Sequence, residues 1–207
     1  MRSDQERWNA RYSGDYTATF RPHPLAERAL ALSMPDGPVL DLASGPSGSV
    51  LLAAAAGRRS VAVDVSEVAL GLLSAQVRRQ RPAASVAIVQ ADLDSWRPRP
   101  ASFALVLCTG YWDRALFASA TAAVLPGGLL GWESLTTEVR RRRPDMSAGW
   151  CLRPGEPVSL LPAGYCVLHE ENLPPGEPAT KRQILARAPA AGAGSRPAAA
   201  GDRRPGR

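Results

Sequence analysis

The stretch from Val39 to Ser66, V-L-D-L-A-S-G-P-S-G-S-V-L-L-A-A-A-A-G-R-R-S-V-A-V-D-V-S, constrains the fold of this 207-residue chain more than any other. A short apolar run (Val39, Leu40, Leu42) ends in small, turn-permissive residues, and an alanine-rich helical run follows at once. Gly57 closes the helix, and Ser60 to Val63 makes a second apolar strand that ends in Asp64. Strand, tight loop, helix and strand together form half of a βαβ unit. Small residues let the backbone approach a ligand, and the helix start offers it unpaired N–H groups. An acid at the end of the second strand can accept hydrogen bonds from both hydroxyls of a ribose. The spacing between loop and acid, about twenty residues, is that of a nucleoside-cofactor fingerprint.

The rest of the chain continues the alternation. Ser3 to Tyr12 carries Trp8, Arg11 and Tyr12 at helical spacing and reads as an arm or lid within residues 1–24. His23-Pro24 leads into an amphipathic helix over Leu25 to Leu32, broken by M-P-D-G-P before the first strand. Ser66 caps a helix with apolar positions Val68, Leu72, Leu73 and Val77 on one face. Ser85 to Val89 and Ser102 to Cys108 are the third and fourth strands, Arg114 to Val124 is a helix, and Leu125-Pro-Gly-Gly128 turns into a fifth strand, Leu129 to Ser134. Thr136 to Arg153 is irregular, and Pro154-Gly-Glu156 starts a brief helix. Two strands, Tyr165 to Glu170 and Gln183 to Ala188, form a terminal antiparallel pair across N-L-P-P-G-E-P. Such alternation predicts an α/β fold, a doubly wound, mostly parallel sheet with helices on both faces, over residues 25–188. The Ala/Gly/Pro/Arg tail, 189–207, lacks large apolar residues and is expected to be disordered.

Composition excludes several classes. No run approaches the roughly 18 apolar residues of a membrane span, and the charged start M-R-S-D-Q-E-R-W has no apolar signal core, so a cytoplasmic location without a membrane partner is expected. Cys108, Cys151 and Cys166 are odd in number and far apart, which suggests buried thiols and neither a disulfide framework nor a metal site. About half of the net charge of +6 lies in the tail from Ala188, where four arginines face one aspartate. The run Arg140 to Arg143 has no interleaved aromatics and reads as a solvated loop, so a nucleic-acid partner is not expected.

Two cofactors fit the loop. Ala43-x-Gly45-x-x-Gly48 is close to G-x-G-x-x-G, which admits an NAD(P)-binding domain. Asp41, just before the turn, would repel a pyrophosphate and attract the ammonium of S-adenosylmethionine. Asp92 can take an adenine amino group while Leu93 covers the ring, and no hydride-transfer constellation is visible.

D-L-A-S-G with Asp64, A-D-L, F-A-L-V-L-C-T-G-Y and L-P-G-G-L-L resemble the ordered motifs of class I S-adenosylmethionine-dependent methyltransferases, from about Trp8 to Arg187. W-N-A-R-Y, E-S-L-T and C-L-R-P-G-E are similar to the tellurite-resistance type. The resemblance implies a Rossmann-like seven-stranded sheet in order 3-2-1-4-5-7-6 with the last strand antiparallel. It also implies that Asp41, Ala43, Ser44 and Gly45 line the methionine end, with Arg11 at its carboxylate. Asp64 would hold the ribose, Val65, Asp92 and Leu93 would surround adenine, and Cys108 would lie beside the sulfonium. Three alternating glycines of the family stand here as Ala43, Gly45 and Ser47, with Pro46 stiffening the loop, so a degenerate, non-catalytic cofactor-binding or interaction domain stays open.

Methyl transfer from a sulfonium needs alignment more than a particular catalytic residue. A small-molecule methyl acceptor is expected. On its side stand His23, which can equally cap the helix before Pro24, and Tyr111 with Trp112, which can form an aromatic wall or pack in the core. Glu133, near the end of the fifth strand, is either paired in the interior or a base, and His169 is structural.

Overall fold

The computed structural model of the protein describes residues 4–174 and 180–192. The elements run α1 (Asp4–Tyr12), α2 (Pro24–Leu30), β1 (Val39–Leu42), α3 (Gly48–Ala55), β2 (Ser60–Asp64), α4 (Glu67–Gln80), β3 (Val86–Gln90), β4 (Phe103–Thr109), α5 (Arg114–Ala123), β5 (Val124–Leu135), β6 (Cys166–Leu173) and β7 (Lys181–Arg187). They form a seven-stranded sheet in the expected order 3-2-1-4-5-7-6. The first five strands are parallel, and β7 runs antiparallel to both β5 and β6. The tail beyond Gly192, residues 175–179 of the β6–β7 connection and residues 1–3 lie outside the described residues.

Helices α2 to α5 begin where side-chain chemistry supplies a cap, His23 serving α2. Ser47, Ser66 and Asp113 accept hydrogen bonds from the first-turn N–H groups of α3, α4 and α5, which satisfies donors that have no partner inside the helix. Strand β1 is buried along its whole length because the sheet is covered on both faces. On one face Leu40 and Leu42 join Leu130, Phe117 and Trp132; on the other Val39 meets Leu25 and Ala29 of α2. Gly131 of β5 leaves the space that Leu25 fills.

The structure lengthens β5, which starts at Val124 with a register irregularity against β4 around the Leu-Pro-Gly-Gly turn. Thr136 to Arg153 holds two short 3₁₀ helices, Thr137–Arg141 and Ala148–Trp150, and a third spans Val158–Leu160. This irregular segment is pinned to α5 by a bidentate pair: Arg114 Nε and Nη2 donate to Glu156 at 2.9 and 2.8 Å. The backbone N–H of Arg153 donates to the same carboxylate at 2.9 Å. Burial works to raise the pKa of Glu156, but these bonds and the nearby guanidinium outweigh it and hold the carboxyl below its usual value. The pair therefore stabilises the fold above the ordinary glutamate pKa, and the contribution is lost as pH falls through the lowered one. Arg114→Ala is expected to cost about 1–2 kcal/mol at pH 7, because it leaves a buried carboxylate with little compensation. Urea unfolding at pH 7 and pH 4 checks this; the deficit should shrink at the lower pH.

Candidate active site

The loop after β1 owes its shape to two left-handed residues, Ala43 at φ 50° and Gly45 at φ 54°. Ser47 then fixes its exit. The Ser47 hydroxyl accepts from the N–H groups of Ser49 and Val50 at 3.1 and 3.2 Å and donates to Asp41 Oδ2 at 2.6 Å. The residue that departs from the glycine pattern is thus the cap of α3 and the partner of the strand-end acid.

At the end of β2, Asp64 faces the same loop. Its Oδ2 accepts from Gly45 N–H at 2.7 Å and its Oδ1 from Ser66 N–H at 2.8 Å. Burial raises its pKa, and the backbone N–H groups oppose that rise. Each carboxylate oxygen keeps a further lone pair for a ligand hydroxyl.

Helix α1 covers this ground. Asn9 is tied to the Ser66 hydroxyl at 2.8 Å and Gln5 to Glu67 at 2.6 Å, which docks the arm on the start of α4. The Tyr12 hydroxyl lies over the loop, 2.8 Å from where a Cβ on Gly45 would stand. Burial, with Asp64 nearby, pushes the Tyr12 pKa to about 12, so the phenol stays protonated and serves as a donor.

Beneath the arm lies a cavity of 230 Å³. Of the residues singled out in the sequence, Ala43, Asp64, Val65, Asp92 and Leu93 line it, together with Arg11 and Tyr111. Trp8, Tyr12, Thr109 and Gly110 complete the wall and were not assigned to the site from sequence. The spacing of Trp8, Arg11 and Tyr12 along α1 is the signal that could have found the first two, since it puts all three on one face.

Other candidates are placed elsewhere. Asp41 is buried behind the loop and does not reach the cavity, and Ser44 and Gly45 shape the turn without lining it. Cys108 contributes no surface: it is fully buried beside Leu42 and Trp132, its Sγ 3.7 Å from the Tyr111 carbonyl, and burial raises its pKa well above the usual thiol range. The strand's alternation turns Cys108 into the core and leaves Thr109 and Gly110 at the cavity. His23 caps α2, its Nδ1 accepting from Leu25 N–H at 3.2 Å, while its Nε2 faces Glu133 Oε2 at 3.1 Å. Glu133 is also paired with Lys181 at 2.8 Å, so it is a buried partner and not a base at the cavity. Trp112 is both core and wall: it packs at 5.5 Å on Phe117 and 6.0 Å on Trp132 between ring centroids, and it also lines the larger cavity next to the first. Cys166 is exposed, against the expectation of three buried thiols. His169 in β6 contacts Gln183 and Glu171 and plays a structural part.

A second, larger cavity of 940 Å³ shares Asp4, Trp8, Arg11, Asp92, Gly110 and Tyr111 with the first. It extends to the irregular segment after β5, where Arg143 and Trp150 line it. The arrangement offers one chamber with a carboxylate, Asp64, able to accept from the hydroxyls of a ligand and, across a common wall, a larger chamber.

Residues 39–128 match the family model described as a methyltransferase domain. No curated protein matches the chain. Among solved structures, an S-adenosylmethionine-dependent methyltransferase from Mesorhizobium loti is 18% identical, with a TM-score of 0.62 over 79% of this chain and 96% of that one. The geranyl diphosphate C-methyltransferase of Streptomyces coelicolor is 13% identical, with a TM-score of 0.61 over 78% of this chain and 74% of that one. The [4+2]-cyclase SpnF is 14% identical, with a TM-score of 0.58 over 80% of this chain and 78% of that one. The segment from β1 to the start of β5 therefore matches a methyltransferase domain, and the chain that surrounds it has the fold of the class I S-adenosylmethionine-dependent methyltransferases.

Proposed function

We propose that the protein transfers a methyl group from S-adenosylmethionine to a small molecule held in the second cavity. The observation that carries the reading is the wall common to both cavities at Gly110 and Tyr111, which would bring a cofactor in one chamber against an acceptor in the other. The residues present suit the cofactor. Asp64, held by two N–H groups and still able to accept, would take the ribose hydroxyls. Val65 and Leu93 offer apolar faces to adenine, Asp92 its amino group an acceptor, and Tyr12 and Arg11 donors to the methionine carboxylate. When bound, S-adenosylmethionine supplies a methyl group whose C–S bond breaks towards sulfur as the acceptor's lone pair takes the carbon. The chain's part is to align the two molecules and exclude water, with α1 as the lid.

Calorimetric titration with S-adenosylmethionine, S-adenosylhomocysteine, NAD and NADP tests the cofactor. Saturation by the first two alone is expected; binding of only a nicotinamide cofactor would overturn the reading. Asp64→Asn is expected to weaken S-adenosylmethionine by about 2 kcal/mol, roughly thirtyfold, because it removes charge from the bonds to ribose and places an amide N–H against Gly45 or Ser66 N–H. The SpnF fold likeness makes turnover a separate question from binding. Trials with metalloid oxyanions, thiols, phenols and carboxylates, read as S-adenosylhomocysteine formed, decide between an enzyme and a binding domain. The cavity's size suits a small acceptor, and a cytoplasmic location is proposed with it; no described helix is long and apolar enough to cross a membrane.

A further inference from the structure

The second cavity has two chemically different ends. Asp4, Asp92 and Arg11 belong to both chambers, and Asp94 accepts a hydrogen bond at 3.1 Å from Tyr111, which is also shared, so three acids face one arginine at the junction. Arg7, Arg143 and Trp150 line the second chamber alone. Trp150 is 49% exposed, more than any other large apolar side chain among the described residues. An indole about half exposed on a concave wall offers apolar surface on which a ring can stack. Arg7 stands over the Trp150 ring at 5.0 Å and over Trp8 at 5.5 Å, while Asp4 engages it at 3.2 Å.

The basic run after β5 is divided in its roles. Arg140 donates to the Met146 carbonyl at 3.0 Å, and Arg141 pairs with Glu138 at 2.9 Å. The guanidinium of Arg143, on the cavity wall, makes no ion pair or side-chain hydrogen bond among the described residues. An unengaged guanidinium in a concavity raises the local concentration of anions and matches a carboxylate or phosphate with two parallel donors.

We infer that the second cavity selects a flat aromatic acceptor that carries an anionic substituent, its ring against Trp150 and its carboxylate or phosphate on Arg143. This rests on the methyltransferase reading for the word acceptor, but the binding site itself stands on the cavity. With the anion at the basic end, the opposite edge of the ring lies towards Tyr111 and the cofactor chamber, where a nucleophilic substituent would be methylated. At the junction Asp4, Asp92 and Asp94 outnumber Arg11, which the cofactor's carboxylate would engage, and this excess of acid disfavours an anion bound the other way round. The cavity volume is that of a small-molecule site and leaves no room for a folded macromolecule.

The full chain, with and without saturating S-adenosylhomocysteine, is titrated with benzoate, phenyl phosphate, phenol, benzylamine, acetate and inorganic phosphate, read by tryptophan fluorescence and calorimetry. Benzoate or phenyl phosphate is expected to bind at least tenfold more tightly than phenol, benzylamine and the non-aromatic anions, and whichever of the two is tighter names the anionic group. Arg143→Gln should erase most of that preference while leaving phenol and S-adenosylhomocysteine affinities unchanged, and Arg143→Lys should restore part of it. Trp150→Ala should weaken every ring compound and leave acetate and phosphate as they were. Equal binding of the neutral or cationic ring, no binding of either aromatic anion, or an Arg143→Gln variant with unaltered selectivity overturns the inference. Failure of S-adenosylhomocysteine to bind would count against the methyltransferase reading alone, because the titration without it still answers for the ring site.

Discussion

Gly48→Ala is expected to lower the melting temperature by roughly 6–12 °C, through overpacking of about 3 kcal/mol at 2–4 °C per kcal/mol for a chain of this length. Gly48 is the first residue of α3, and a Cβ there would overlap the Phe20 carbonyl oxygen and the backbone of Arg21. Backbone cannot rotate aside as a flexible side chain would. Either α3 moves, which disturbs the Ser47 cap, or residues 20–21 move, which also strains the bond from His23 N–H to the Ser49 hydroxyl at 3.1 Å. The second route displaces the chain that carries α1 over the cavity, so cofactor affinity should fall along with stability. Gly71→Ala is the control: it sits at an exposed position of helix α4 with nothing within 4 Å of an added Cβ, and alanine there should stabilise by about 0.5–1 kcal/mol. Thermal scans of both variants check the contrast; a Gly48→Ala protein that melts within 2 °C of the parent would remove the close approach as an element of the site.

That contact illustrates what a sequence discloses and what it conceals. The β1–loop–α3–β2 unit was legible because short apolar runs and turn chemistry are local: Val39 to Leu42 and Ser60 to Val63 are compact, largely buried runs bounded by small turn residues, and Ser66 sits where capping chemistry puts it. The strand order entered through resemblance, and the sheet agrees with it. Features set by tertiary path were not legible. Asn9 and Ser66 are 57 residues apart, so the docking of α1 on α4 has no local signal, and Trp8 and Tyr12 were therefore not assigned to the cavity. The family resemblance puts Cys108 beside the sulfonium, but which way a side chain near the end of a strand points depends on the sheet's register: opposite Leu42 and Trp132 it turns into the core. The same limit applies to the four arginines, which are identical in sequence and different in place. Only the path of the segment after β5 puts Arg143 on the cavity wall and Arg141 on Glu138.

Asp41→Asn is expected to stabilise the protein, and to do so more at pH 8 than at pH 5. Asp41 is 3% exposed, and its pKa is raised from 3.8 to about 7. Burial is the main cause; the Ser47 hydrogen bond and the charge of His23 oppose it, and Asp64 adds to it. Because the folded value lies above the unfolded one, the protonated acid favours folding below pH 3.8, and that contribution is lost as pH rises through about 7. An asparagine keeps the shape and can still accept from the Ser47 hydroxyl at the 2.6 Å site, yet never bears the charge. At about 1.36 kcal/mol per pH unit, its advantage should grow by about 2–3 kcal/mol between pH 5 and pH 8 and reach about 4 kcal/mol in all. Urea unfolding of both proteins at the two pH values measures it; an advantage that stays constant, or a loss at both, would mean that the carboxylate is ionised at no cost in its place. The affinity of the variant for S-adenosylmethionine separates the roles of the residue. Buried behind the loop, Asp41 should act through Ser47 and the turn, so the affinity should change by less than tenfold, whereas a carboxylate in contact with the methionine ammonium would lose far more on becoming neutral.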